Sequence, residues 1–130
     1  MNLDDTVSGI GGDRLRFIKH RGQAIFLIDF SHCGAKEMLF LLEQVRSIIG
    51  RHAHGSLLTL GDFTGAEIDK KAVTRLKEVL VLDRPFVKRS ALVGSESMPH
   101  VFFENIKSFS QREFGTFKTR EEAMDWLVAE

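Results

Sequence analysis

Cysteine occurs once in this chain, at Cys33, so no internal disulfide forms, and tyrosine is missing although phenylalanine occurs 11 times. Proline is nearly as scarce, and Pro85 and Pro99 each fall where a helix must stop or start. Excess charge of either sign is also lacking. The 18 basic and 18 acidic residues cancel to a formal net charge of +0. That argues against a sequence-independent nucleic-acid binder, whose affinity comes from surplus Lys and Arg meeting phosphates. No stretch approaches the roughly 20 apolar residues needed to cross a bilayer. Met1-Asn2-Leu3-Asp4-Asp5 has neither the basic region nor the apolar core of a signal peptide. The expectation is a cytoplasmic protein, not transmembrane. Its 130 residues suffice for one domain whose core needs no metal or disulfide support.

What is present is organised around Ser56-Leu57-Leu58-Thr59-Leu60-Gly61-Asp62-Phe63-Thr64-Gly65, an apolar run that stops at an acid, a hydroxyl and a glycine. Bounded by turn residues and flanked by helical patterns, it reads as a central strand buried on both faces of a parallel or mixed sheet. Ala24 to Phe30 repeats the theme, ending in Asp29-Phe30-Ser31, and Phe86 to Val93 ends in Gly94-Ser95. The carboxyl ends of such strands line the crevice where open α/β sheets bind ligands, so these three ends mark the expected functional edge.

Met1 to Asp13 carries few bulky side chains and is expected to be a flexible segment, with the α/β domain spanning 14–130. Gly9-x-Gly11 lacks the preceding strand and following helix of a nucleotide loop. Leu15 to Ile18 and Gln23 to Phe30, joined by a short glycine-containing link, form a hairpin. From Ala35 to Ile49 apolar residues recur at three and four, predicting a helix begun by Gly34 and closed by Gly50. Asp69 caps a second helix that buries Ala72, Val73, Leu76, Val79 and Leu80 and ends before Pro85. A third helix follows Pro99 with Phe102, Phe103, Ile106 and Phe109. Phe114 to Phe117 is an edge strand. Thr119-Arg120-Glu121-Glu122 is a capping box opening a last helix that buries Ala123, Trp126 and Leu127. Strands alternating with helices at this spacing give an α/β fold, a mixed sheet of about four or five strands with about four helices.

So arranged, the chain resembles the SpoIIAA-like (STAS-like) family of small bacterial proteins, related in fold to anti-sigma factor antagonists and to Sec14/CRAL-TRIO lipid-binding domains. The resemblance rests on Ile28-Asp29-Phe30-Ser31, Leu58-Thr59-Leu60-Gly61-Asp62-Phe63-Thr64-Gly65, Arg84-Pro85-Phe86-Val87-Lys88 with Ala91-Leu92-Val93-Gly94, and the segment from Phe117 to Leu127. It covers Leu15 to Val128. In antagonists of this fold an Asp-Ser pair opens the next helix and its serine is phosphorylated. Here Ala66-Glu67-Ile68-Asp69-Lys70-Lys71 holds no hydroxyl, and Lys70 most nearly takes the serine's place.

The candidate chemistry has bland counterparts. Asp29 and Asp62 at one crevice suit an acid and base or a divalent cation, but Asp commonly accepts from the amides of its own turn. His32-Cys33 are neighbours in sequence, whereas catalytic Cys-His pairs meet through space. His52-Ala53-His54 offers two ligands with no third nearby. The leading expectation is therefore a non-enzymatic regulatory or protein-interaction module. Its partner would bind at Asp29, Ser31, Asp62, Thr64, Gly94 and Ser95 on the turns and at Lys70 and Lys71 on the second helix. The alternative is a carrier or sensor of a lipid or other apolar small molecule, held by Phe102, Phe103 and Ile106 between the third helix and the sheet. Neither needs a catalytic residue, metal or cofactor, neither implies a specific nucleic acid, and a homodimer is left open.

Overall fold

The computed structural model describes residues 12–97, 103–104 and 114–129. β1 (Leu15–His20) and β2 (Gln23–Asp29) pair antiparallel through the turn Arg21-Gly22. Both turn residues have positive φ, 52° and 81°, the backbone that lets a two-residue turn follow the right-handed twist of its strands. From there the chain alternates: α1 (Ala35–Ile49), β3 (Leu57–Asp62), α2 (Lys70–Asp83), β4 (Val87–Val93), β5 (Gly115–Phe117) and α3 (Arg120–Val128). The sheet is mixed and five-stranded, in the order β1-β2-β3-β4-β5, with β2 to β5 mutually parallel. The α/β class and the central place of the 56–61 stretch follow the sequence expectation. Every residue of β3 is buried.

Alternation along β3 feeds two cores, as the pleat requires. On one face Phe26, Phe30, Leu57 and Leu92 pack against Met38, Leu42 and Val45 of α1 and Val73, Leu76 and Val79 of α2. On the other, Ile25, Leu27, Leu58, Leu60, Ala91 and Val93 meet Ala123, Leu127 and Val128 of α3. The one polar pair inside β3 and β4 is self-satisfying: Thr59 Oγ1 and Ser90 Oγ lie 2.8 Å apart.

Three α-helices lie among the described residues, against about four expected. The helix expected after Pro99 falls on residues 99–109, of which only 103 and 104 are described, both helical; Phe102, Ile106 and Phe109 lie outside the described residues. Met1 to Gly11 of the expected flexible segment do too, and Gly12–Arg14 form a short 3-10 turn into β1. α1 has the bounds its periodicity predicts, yet buries Leu41 and Ile48 as well and leaves Phe40 58% exposed. Trp126 is half-buried rather than buried, and its ring lies under the Arg89 guanidinium at 5.0 Å.

Leu60 is fully buried at the heart of the second core. Leu60→Ala is expected to cost about 2–4 kcal/mol in urea unfolding, and Phe40→Ala under about 0.5 kcal/mol. Equal shifts of the two midpoints would contradict this layering.

Candidate functional site

Parallel pairing carries the ends of β2, β3 and β4 to one rim in register: Asp29 faces Asp62, and Asp62 faces Val93. Pairing continues past the strands, with Phe30 N donating to Asp62 O at 2.8 Å, His32 N to Thr64 O at 2.7 Å and Phe63 N to Val93 O at 2.8 Å. Each acid also organises its own turn. The Ser31 amide and hydroxyl both donate to Asp29 Oδ1, at 2.9 and 2.6 Å, and the Thr64 amide donates to Asp62 Oδ1 at 2.9 Å. This is the turn chemistry Asp offers anywhere in a chain.

The turns then stack. Gly65 (φ 67°) lies under the His32 ring, where an added Cβ would come 2.3 Å from Nδ1. Gly94 (φ 78°) lies under Thr64, whose amide nitrogen would stand 2.4 Å from such a carbon. Among the described glycines no other combines that φ with that approach, so these two let three loops become one surface. Because α1, α2 and α3 each follow a strand of the parallel set, their N-termini open at the same rim.

Two arginines hold the carboxylates. Arg120, the first residue of α3, donates from Nε to Asp62 Oδ2 at 2.7 Å and places Nη2 3.1 Å from Asp29 Oδ1. Arg14 donates from Nη1 to the carbonyls of Asp29 and Ser31, at 3.0 and 2.9 Å, and pairs with Glu37 at 3.3 Å. Partial burial works against the Asp29 charge, but the two Ser31 hydrogen bonds and Arg120 outweigh it and hold the carboxyl below its ordinary range. Against its own desolvation, Arg120 is raised by its hydrogen bond to Asp62 and by the charges of Asp29 and Asp62.

Neither arginine is among the residues singled out from sequence. Arg120 follows Thr119, whose hydroxyl does accept the Glu122 amide at 3.1 Å as expected of the cap. That role fixes the helix start without revealing that β5 delivers it to the acids.

The other expected site residues divide. Ser31, Thr64 and Ser95 are partly exposed on the rim, and Lys70 and Lys71 are exposed on the first turn of α2, behind the Asp69 cap (Ala72 N to Oδ1, 2.8 Å). Asp62, 5% exposed, and Gly94, buried, shape the surface from beneath rather than offering contacts. Further along α2, Arg75 bridges to Glu43 of α1 through Nε and Nη2, at 2.7 and 3.0 Å. Phe103 packs against the first core. Phe102 and Ile106 lie outside the described residues. Beneath α1 and α2 a cavity of ≈ 50 Å³ is lined by Ile28, Val45, Leu76 and Phe114 among others. A hollow of roughly 150 Å³ is needed to take benzene.

Cys33 is 1% exposed, and burial, aided by the Glu37 charge, pushes its thiol up to about 11. His52 and His54 turn to different partners: His52 packs on Phe17 with ring centroids 5.3 Å apart, and His54 meets Phe86 edge-on at 4.9 Å. Among the described residues no three His, Cys, Asp or Glu side chains converge as a metal would require, and no helix is long and apolar enough to cross a membrane.

Two outcomes follow for solution work. Asp29 titrates lower folded than unfolded, so its stabilisation is complete above the unfolded value near pH 4 and is lost as pH falls through the folded one. Arg120→Ala should cost about 2 kcal/mol at neutral pH, a figure reduced for its partial exposure. It should also flatten the acid limb of stability against pH, measured by urea midpoints; an unchanged limb would show that the pairing carries no stability. Cys33 should react with a thiol reagent only at the rate of unfolding, and rapid labelling of native protein would contradict its burial.

No family model matches this sequence, and neither curated proteins nor solved structures give a significant match.

Proposed function

We propose that this protein is a non-enzymatic regulatory module of the cytoplasm that acts by binding another protein through the rim of its sheet. It is similar in plan to the SpoIIAA-like proteins and anti-sigma factor antagonists, without their phosphorylated serine. The observation that carries this reading is the Arg120 bridge across Asp29 and Asp62. Carboxylates held by a guanidinium and by their own turns are fixed parts of a surface, not a base waiting for a proton. Among the described residues the pairs that the sequence suggested are not assembled: the Cys33 thiol is buried, and His52 and His54 turn to separate partners.

A surface whose loops are tied to one another binds with little ordering cost, which favours recognition. Ser31, Thr64, Ser95, Lys70 and Lys71 are the side chains it presents. The apolar-carrier alternative would use Phe102 and Ile106, which lie outside the described residues; the cavity under α1 and α2, ≈ 50 Å³, is well below the roughly 150 Å³ of a cavity known to take benzene.

Protein immobilised and exposed to an extract of its own host should retain a protein partner that Lys70→Glu with Lys71→Glu releases. Retention by that variant would remove the start of α2 from the docking surface. A stoichiometric small-molecule adduct in native mass spectrometry would favour the carrier instead.

A further inference from the structure

Opposite the rim, the starts of β3, β4 and β5 and the β1–β2 turn form a second end of the sheet, and its charge is one-sided. Lys19, Arg21, Arg51, Arg84 and Lys88 are all exposed there, spread over the hairpin, the α1–β3 loop and the α2–β4 connection. Among the described residues, the acids of this end are already committed. Asp83, 2% exposed, has Arg46 Nη1 at 3.8 Å, and Asp125 is held by His20 at 2.7 Å and Arg21 at 3.2 Å.

This end is also built as one body. Gly55 N and Ser56 N donate to the carbonyls of Pro85 and Phe86, at 2.8 and 3.1 Å, joining the two loops that carry Arg51 and Arg84. The contacts of His52 with Phe17 and of His54 with Phe86 extend the tie to β1. Cations near the ends of α1 and α2 complement their helix dipoles, worth some tenths of a kcal/mol each. That does not account for Lys19 or Lys88, which stand on strands and make no ion pair among the described residues.

We propose that this end is a docking surface for an extended acidic segment of a partner protein. The spacing fits: β1 and β4 are three inter-strand steps apart, roughly 14 Å, and acids on one side of an extended chain recur about every 6.8 Å. Three alternate acids thus span the distance between the strands that carry Lys19 and Lys88, and the exposed Arg51 adds a guanidinium whose fork suits a carboxylate. A second copy of this chain fits less well. Its rim mixes exposed Glu37, Glu67, Asp69, Glu96, Glu121 and Glu122 with exposed Lys36, Lys70, Lys71 and Lys118, so its acids are interrupted by cations rather than strung along one extended segment. A nucleic acid would meet only a short patch on a molecule of no net charge.

Fluorescence anisotropy with a labelled peptide in which Glu alternates with Ser, titrated with the full chain at low ionic strength, tests this. Saturable binding is expected, weakened about tenfold by Lys19→Glu with Lys88→Glu and unmoved by Lys70→Glu with Lys71→Glu. Circular dichroism melts matching the parent establish that both variants fold. Absence of binding, equal loss in the rim variant, tighter binding of a single-stranded oligonucleotide of the same charge, or self-association in sedimentation would each overturn it. Because the rim variant is the control, failure here leaves the rim proposal standing.

Discussion

The bridge from Arg120 to Asp29 and Asp62 is the constraint on which the rim depends. In-register parallel pairing sets two carboxylates side by side at adjacent strand ends. Two unit charges about 5 Å apart repel by about 3 kcal/mol at an effective permittivity of about 20. Turn amides relieve some of that, but only a cation between the acids removes its cause. Arg120 supplies it from the first turn of α3, so the covering of the second core and the shape of the rim are set together. Arg14 works on the backbone from the other side, donating to the carbonyls of Asp29 and Ser31 and so tying the entry into β1 to the turn after β2.

Rigidity of the rim follows from this electrostatic tie and from two close approaches working in one direction. Hydrogen bonds between neighbouring loops continue the sheet beyond its strands, while Gly65 and Gly94 let His32 and Thr64 sit directly over the next turn. The surface therefore has little conformational freedom left to lose on association. That is a property of recognition surfaces, and it sits poorly with catalysis by the same acids, which would require a carboxylate free to exchange a proton.

Much of this was legible in the sequence, and the exceptions share a cause. α1 could be read to the residue because its signal is local: apolar spacing between two glycines. The rim acids were legible because a strand's end is written in its own turn residues. Arg120 was not, since its partners are 58 residues away at Asp62 and further still at Asp29, and its local pattern says only that a helix begins. Arg75 is a like case, its charge being spent on Glu43 across the helix pair, 32 residues away. Asp62 and Gly94 were placed on the surface because polarity and turn position suggest exposure, whereas the stacking of loops that buries them is visible only in three dimensions.

Net charge hid a second non-local feature. Equal numbers of acids and bases describe the chain as electrically unremarkable. The fold then sorts them, because parallel strands send all their carboxyl-end loops one way and all their amino-end loops the other. At the rim the two strand-end acids are held by an arginine and the exposed acids alternate with lysines, while among the described residues the exposed cations at the opposite end outnumber the acids beside them, Asp83 and Asp125, both already paired. Screening in physiological salt acts over about 8 Å, less than the length of a strand, so a partner approaching either end senses that end's charges and not the sum. A neutral chain can in this way carry two electrostatically distinct faces, and composition alone excludes neither.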